Sequence, residues 1–313
     1  MNPPSLSFLI PLYNSAETIA ALVHEIAALS IEGGHEIVLV DDGSSDRTEE
    51  VCQRLLAEAK VPITFVSHAR NFGEHNAVLT GLRLARGSYI VTLDDDGQNP
   101  PSEGKRLYEF ARAQKLDVVF ARHPEKQHHP WRNLTSALNE KVSDWILDKP
   151  RGFYVSTFRC MSGWLAQELG KNTGPFPYID GLILQTTQRI GTLEVSHQKR
   201  VAGQSGYTLR RLVRLWLSTI VNFSVMPLRI ATVLGIAIAG TGFLGMAWVL
   251  YITLKDQRAV LGWESLMSVF LAFSGTQLIV LGLLGEYLGR LVQTINQRPQ
   301  SVVREVFRSA ETK

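Results

Sequence analysis

The sequence predicts an α/β domain built on a mostly parallel sheet with helices on both faces, followed by a basic amphipathic helix and a two-helix membrane hairpin. Three observations carry that expectation. Short apolar runs rich in Val, Ile and Leu alternate with helical-period segments up to Leu93, the pattern of parallel strands joined by crossover helices. Polar clusters punctuate the strand ends, where ligands bind in such sheets. Two long runs nearer the C-terminus contain no charged residue.

Leu6–Leu12 (LSFLIPL) is a short apolar strand. Asn14 or Ser15 is placed to cap a helix carrying Ile19, Leu22, Val23, Ile26 and Ala27 on one face. Glu36–Val40 (EIVLV) is a second buried strand, ended by Asp41, Asp42, Gly43, Ser44, Ser45 and Asp46. Val51–Ala59 follows as a helix, Ile63–Ser67 as a strand, Asn76–Ala85 as a helix and Tyr89–Leu93 as a strand. A soluble domain is expected over residues 1–206, a juxtamembrane helix over 207–228, a membrane hairpin over 229–289 and a C-terminal tail over 290–313.

The hairpin rests on Ile230–Leu254, 25 residues, and Ser265–Gly285, 21 residues. Each exceeds the roughly 20 residues a helix needs to cross about 30 Å of hydrocarbon. Arg210, Arg211, Arg214 and Arg229 precede the first run, and Arg290, Arg298, Arg304 and Arg308 follow the second. The link between them holds only Lys255 and Arg258 against Asp256 and Glu264. The cytoplasmic bias of basic residues therefore predicts both termini inside and the link outside. Ser5–Tyr13 is too short for the apolar core of a secretory signal and lacks a basic flank, so the N-terminal domain is expected to be cytosolic. Leu209, Leu212, Val213, Trp216, Leu217 and Ile220 recur at helical spacing, with Arg210 and Arg214 on another face. That suits a helix lying in the headgroup layer, a core helix of the soluble domain being the alternative. Pro227 marks the break before the first run.

Whole-chain averages conceal this organisation. The 313 residues weigh 34.9 kDa, are 45% hydrophobic and carry a net charge of +3. Residues 1–198 hold 19 Lys+Arg against 24 Asp+Glu, a net of −5; residues 199–228 hold five bases and no acid. The total gives no case for nucleic acid as a partner. Cys52 and Cys160 have no CxxC partner, which excludes a disulfide scaffold or a Cys-based zinc site.

Asp94, Asp95 and Asp96 come directly after the last strand of the series. In extended backbone alternate side chains share a face, so Asp94 and Asp96 can converge while Asp95 points away. Two such carboxylates suit Mg2+ or Mn2+ with room for diphosphate oxygens, and Gln98 is placed to hold a metal-bound water; a solvated acidic turn is the plain alternative. In Asp41–Thr48 (DDGSSDRT) a carboxylate can accept from a base N–H or ribose hydroxyl, unless the run serves only to cap the next helix. Arg70, Asn71, Phe72 and Gly73 bring a cation and a glycine that permits close backbone approach. His75, Asn76 and Asp180 are open between pocket and structural roles. Gly240, Gly242 and Gly245 match GxGxxG but lack a preceding strand; they suit helix packing, as do Gly285 and Gly289.

Together IPLYN (10–14), DDGSSDRT (41–48), RNFG (70–73) and GLRLARGSYIVTLDDDGQNPP (81–101) resemble family 2 glycosyltransferases with the nucleotide-diphospho-sugar (GT-A) fold. More narrowly the chain is similar to the polyprenyl-phosphate glycosyltransferases, which include the dolichol-phosphate mannose synthases and the bacterial undecaprenyl-phosphate glucosyl and aminoarabinosyl transferases. The resemblance continues through VAGQSGYTLRRL (201–212), PLR (227–229) and LLGEYLGRL (283–291). It implies transfer of a sugar from a nucleotide-diphospho-sugar, a UDP-sugar in the bacterial branch, to undecaprenyl or another polyprenyl phosphate. It implies a bacterial inner-membrane location with the active domain cytoplasmic. By the same resemblance Pro11, Tyr13, Asn14, Asp41, Asp42 and Arg70 line the nucleotide pocket with Asp94 and Asp95. Asp94 and Asp96 form the DxD pair that ligates Mg2+ or Mn2+, with Gln98 beside them. Arg122, Arg132 and Ser136 meet the acceptor phosphate, joined by Arg159, Arg200 and Tyr207. Asp95 and Gly97 depart from the DAD-Leu common in the family, and STFR (156–159) stands for SGFR.

The chemistry suits these residues. A lipid phosphate, with a second pKa near about 6, is already a nucleophile at neutral pH and needs no protein base. It needs cations to hold it beside the diphosphate, the work of Arg, and the family implies direct displacement with inversion. A processive polysaccharide synthase, expected to carry QxxRW and more membrane helices, and an inactive membrane-tethered scaffold are the rival readings. The packing glycines leave room for a homo-oligomer.

Overall fold

β1 (Leu6–Leu12) sends Leu6, Phe8, Ile10 and Leu12 into one core and Leu9 into another, as a pleated strand covered on both faces requires. The computed structural model describes residues 3–122, 156–174, 177–196, scattered helical positions between Val233 and Lys255, 262–296 and 299–309. The chain forms two units, one of residues 1–206 with 298–313 and one of residues 207–297.

In the first unit α1 (Ile19–Ala27), β2 (His35–Asp41), α2 (Thr48–Ala57), β3 (Ile63–His68), α3 (Glu74–Leu82) and β4 (Tyr89–Thr92) follow in the predicted alternation. Then come α4 (Pro101–Gln114), β5 (Val118–Arg122), β6 (Arg159–Ser162), α5 (Gly163–Gly170), α6 (Ile179–Thr186) and β7 (Ile190–Glu194). One further strand, β8 (Val303–Arg308), closes the unit. The eight strands run in the order β7-β5-β6-β4-β1-β2-β3-β8. β4, β1, β2 and β3 are mutually parallel, β5 and β7 are parallel, and β6 and β8 join antiparallel. α1, α2 and α4 pack the core of Phe8, Ile37 and Leu107 on one face, while α3, α5 and α6 pack that of Leu9, Val38 and Met161 on the other. The α/β fold with a mostly parallel sheet and helices on both faces is therefore as predicted.

The differences lie at element ends. α1 starts after Thr18 with no side-chain cap, because Asn14 and Ser15 sit in the preceding turn with their side chains engaged elsewhere. α3 begins at Glu74, two residues earlier than its apolar period suggested, since Gly73 (φ +96) makes the entry turn and its carbonyl accepts from Asn76 and Ala77. Within 290–313, β8 pairs antiparallel with β3.

The second unit contains α7 (Trp263–Ile295), 33 residues long, which includes the charge-free run from Ser265 to Gly285. Described positions between Val233 and Lys255 are helical. Among the described residues no helix is long and apolar enough to cross a membrane. The 207–228 segment read as amphipathic lies outside the described residues.

Candidate active site

β1 lies between β2 and β4. The chain runs outward from β1 through β2 to β3 and then crosses back to β4, a reversal of strand order that opens a crevice at the carboxyl ends of β1 and β4, where such sheets bind ligands. The turn after β1 is the hinge of this crevice. Asn14 holds a left-handed φ of +56. Its N–H donates to Ser44 Oγ (2.8 Å) and its Oδ1 accepts from the Ser45 N–H (2.8 Å). The Ser15 N–H donates to Thr48 Oγ1 (2.8 Å), while the Ser15 hydroxyl donates to the carboxylate of Asp95. Loops following β1, β2 and β4 are thereby stitched together.

At the end of β2, Asp41 and the next residue, Asp42, are both buried. Asp41 accepts from the Ser44 hydroxyl and N–H; burial, with the charges of Asp46 and Asp42, raises its carboxyl pKa despite those bonds. Asp42 turns the other way. Its Oδ1 accepts from His68 Nδ1 (2.8 Å) and the Phe72 N–H (2.9 Å), and its Oδ2 accepts from the Gly73 N–H (2.7 Å). Gly43 (φ +70) backs onto the same loop, where a Cβ would stand 2.5 Å from the Arg70 carbonyl carbon. Only glycine meets both demands. The acidic end of β2 thus holds the Arg70–Gly73 turn in place.

After β4 the extended backbone ends at Thr92, and the three carboxylates that follow each take a different hydrogen-bond partner. Asp94 Oδ2 accepts from Thr157 Oγ1 (2.9 Å), Asp95 faces Ser15, and Asp96 Oδ1 accepts from the Gln98 N–H (3.1 Å). Burial, and then the repulsion of neighbouring aspartates, raises the carboxyl pKa of both Asp94 and Asp95. Crowded, half-desolvated carboxylates of this kind favour a cation. Among the described residues no group of three or more His, Cys, Asp and Glu side chains gathers to hold a metal alone. One or two hard carboxylate ligands, with the remaining positions left to water and phosphate, is the usual protein share for Mg2+, and the cluster fits that share.

A second group lies across from it. Arg159, at the start of β6 and 2% exposed, pairs with Asp180 of α6 and lies 5.8 Å from the Phe120 ring centroid. Its Nε is buried without a hydrogen-bond partner among the described residues. Glu74, first residue of α3, keeps water-accessible surface yet is packed round by protein. That enclosure, with the charges of Asp94, Asp180 and Asp95 outweighing Arg159, pushes its carboxyl up to about 7. His75 meets Tyr178 edge to face at 5.4 Å, and burial lowers its pKa.

Of the residues read from the sequence, Pro11 lies in β1 opposite Val40, Tyr13 is 53% exposed, and Arg70 stacks 4.5 Å over the Phe72 ring. Asn14, Asp41, Asp42, Asp94, Asp95, Asp96 and Gln98 come together on the loops already described. Arg122 ends β5 opposite Glu194 and is exposed. Arg132, Ser136, Arg200 and Tyr207 lie outside the described residues. Sequence reasoning missed Ser15, Thr157 and Glu74. Ser15 reads only as a candidate helix cap, Glu74 falls before the helix expected from Asn76, and Thr157 enters only as the residue by which STFR departs from SGFR.

The sequence model described as Glycosyl transferase family 2 matches residues 7–166. An undecaprenyl-phosphate 4-deoxy-4-formamido-L-arabinose transferase of Aeromonas hydrophila is 31% identical, covering 98% of this chain and 95% of its own. A transferase of the same name from Pseudomonas aeruginosa is 33% identical over 97% of this chain and 91% of its own. Among solved structures, glucosyl-3-phosphoglycerate synthase from Mycobacterium tuberculosis, with Mn2+, UDP and glucosyl-3-phosphoglycerate, superposes with a TM-score of 0.50 at 18% identity. The match covers 70% of this chain and 78% of that one, a likeness of fold.

Proposed function

The chain belongs to glycosyl transferase family 2, and we propose that it moves a glycosyl group from a nucleotide-diphospho-sugar, a UDP-sugar, to a polyprenyl phosphate. The bacterial acceptor would be undecaprenyl phosphate. The observation that carries this reading is the acidic cluster in the crevice between β1 and β4, with Asp95 tied to Ser15 and Asp94 to Thr157. Similarity over nearly the whole chain to transferases named for undecaprenyl phosphate supports the acceptor.

In this reading Pro11, Tyr13, Asn14, Asp41 and Asp42 line the nucleoside side, with Arg70 nearby. Asp94 and Asp96, with Gln98 beside them, would hold Mg2+ or Mn2+, which when bound supplies positive charge to the departing diphosphate. Arg122, Arg132, Arg159 and Arg200, with Ser136 and Tyr207, hold the acceptor phosphate, a task suited to guanidinium forks. No side chain is needed as a base, because the phosphate is largely dianionic at neutral pH. Asp180, a carboxylate close to the crevice, is already engaged by Arg159, which agrees with that economy. The phosphate oxygen attacks the anomeric carbon as the bond to the diphosphate breaks, with inversion.

A polyprenyl tail stays in the bilayer, so an enzyme acting on it needs a membrane part. The charge-free runs at 230–254 and 265–285 would cross the bacterial inner membrane as a hairpin with both termini cytoplasmic, and the basic 207–228 helix would lie in the headgroup layer. The purified protein incubated with a panel of UDP- and GDP-sugars and undecaprenyl phosphate, with Mg2+ or Mn2+, tests the reading. A glycosylated lipid from at least one UDP-sugar, lost on chelation, is the expected result. Failure with every donor and either cation would favour a tethered scaffold.

A further inference from the structure

The chain re-enters the first unit after residue 297, and the returning segment is keyed in by more than strand pairing. Gln300 is 7% exposed; its Oε1 accepts from Arg83 Nη2 (2.6 Å) and its Nε2 donates to the Gly174 carbonyl (2.8 Å). The Val302 carbonyl accepts from the Ala69 N–H (2.9 Å). Between these two anchors Ser301 Oγ lies 3.0 Å from Thr80 Oγ1. The β3–β8 register slips at Ser67/His68, so that Glu305 faces Ser67 but Val303 faces His68 and Arg304 has no opposite residue. Such a bulge re-aims neighbouring side chains.

From Thr80 a continuous hydrogen-bonded path leads to the crevice. Thr80 Oγ1 lies 3.0 Å from His68 Nε2, and His68 Nδ1 lies 2.8 Å from Asp42 Oδ1. The same Oδ1 and its companion Oδ2 receive the Phe72 and Gly73 N–H groups. Every member from Thr80 to Asp42 is buried. A buried carboxylate with fixed partners has little freedom to reorient, and losing one partner leaves the others misaligned or unsatisfied. Thr80 is the junction: its hydroxyl also lies 3.0 Å from the Asn76 carbonyl one helical turn back. The Thr80 hydroxyl has one proton and two lone pairs to share among these three neighbours, so the place of each bears on the others.

We propose that Ser301, through Thr80 and His68, is a positioning residue for Asp42 and the Arg70–Gly73 turn. The segment returning from residues 207–297 would thus set the nucleotide side of the crevice, rather than trail from it as a tail. The proposal rests on the glycosyltransferase reading only for the word nucleotide; the path itself stands on the distances above.

The full chain in detergent, as Ser301→Ala, Thr80→Val and Thr80→Ser, tests it with two readouts. Amide hydrogen exchange of Phe72 and Gly73 is expected to quicken in Ser301→Ala and more in Thr80→Val, by about 3- to 10-fold as loss of one net hydrogen bond implies, and to stay near wild type in Thr80→Ser. The donor KM is expected to rise by a similar factor with kcat nearly unchanged. Phe307→Ala, which removes the stack on Phe65 in the same strand pair, controls for mere loosening of β8: it should lower the melting temperature without moving donor KM. Unchanged exchange at Phe72 and Gly73 in Ser301→Ala and Thr80→Val overturns the proposal, as does an equal effect from Phe307→Ala. Should the wild type use no UDP-sugar, the functional reading fails while the exchange measurement still decides the positioning role.

Discussion

The hydroxyl of Ser15 donates to the carboxylate of Asp95 across 80 residues of chain, joining the turn after β1 to the acidic cluster after β4. Ser15 is buried and Asp95 half-buried, and burial already raises the Asp95 carboxyl, with the Ser15 bond opposing that rise. Ser15→Ala should therefore raise the Asp95 pKa further. It should also cost about 1 kcal/mol through loss of a half-buried hydrogen bond, or a few degrees in the thermal melt. Unchanged stability, read by intrinsic fluorescence in a temperature ramp, would mean that the two loops do not depend on this bond.

Asp96 Oδ1 accepts from the Gln98 N–H (3.1 Å), and its amide isostere asparagine keeps an oxygen acceptor at that place. Asp96→Asn is expected to melt within about 0.5 kcal/mol of wild type and to lose about 100-fold or more in turnover. Isothermal titration should show weakened Mn2+ binding in the presence of UDP. Normal, metal-dependent turnover by the variant would sink the assignment of Asp94 and Asp96 to a divalent ion.

Arg159 and Asp180 form a buried pair with unequal consequences on either side. Asp180→Asn leaves a guanidinium in the interior with its charge uncompensated, a loss of about 3–5 kcal/mol. Replacing both, as Arg159→Met with Asp180→Leu, removes the charges together and should recover most of it. Melting temperatures of the single and double variants give the coupling. If Asp180→Asn proved neutral, Arg159 would have to be drawing its compensation from Glu74 and Asp94 instead, both of which lie within reach of its charge.

How much of this could be read beforehand follows from how local each feature is. Leu6–Leu12 and Ile63–Ser67 are legible because a buried parallel strand is a short, mostly apolar run. The acidic residues at 41–46 and 94–96 are legible because they interrupt such runs where the crevice forms. β8 is not: VREVFR is short and mostly exposed at a sheet edge, and its meaning depends on β3 more than 230 residues away, as in the Ile63–Ser309 bond with a separation of 246. The partners of the aspartates were equally hidden, since Ser15 and Thr157 are supplied by distant loops. Glu74 falls before the helix expected from Asn76 and carries no signal of its own; only the convergence of Asp94, Asp95 and Asp180 in space gives it its chemistry.

That convergence makes Glu74 a probe of the site. Enclosure by protein, with repulsion from Asp94, Asp180 and Asp95, raises its carboxyl from 4.5 to about 7. A folded-state pKa above the unfolded one means that the folded protein holds the proton more tightly. The associated stability is fully present below about pH 4.5 and is lost as pH rises to about 7. Glu74→Gln cannot ionise, so its melting temperature should match wild type near pH 4.5 and exceed it increasingly up to pH 7, then by a constant margin. Placing Mg2+ on Asp94 and Asp96 would oppose the repulsion that lifts the Glu74 carboxyl. Saturating Mg2+ should therefore shift the upper end of that window to lower pH in wild type, with no counterpart in Glu74→Gln. A melting profile for Glu74→Gln that tracks wild type at every pH would show that the carboxyl is freely solvated and uncoupled from the aspartates. A window that appears but ignores Mg2+ would show that the cation does not settle beside them.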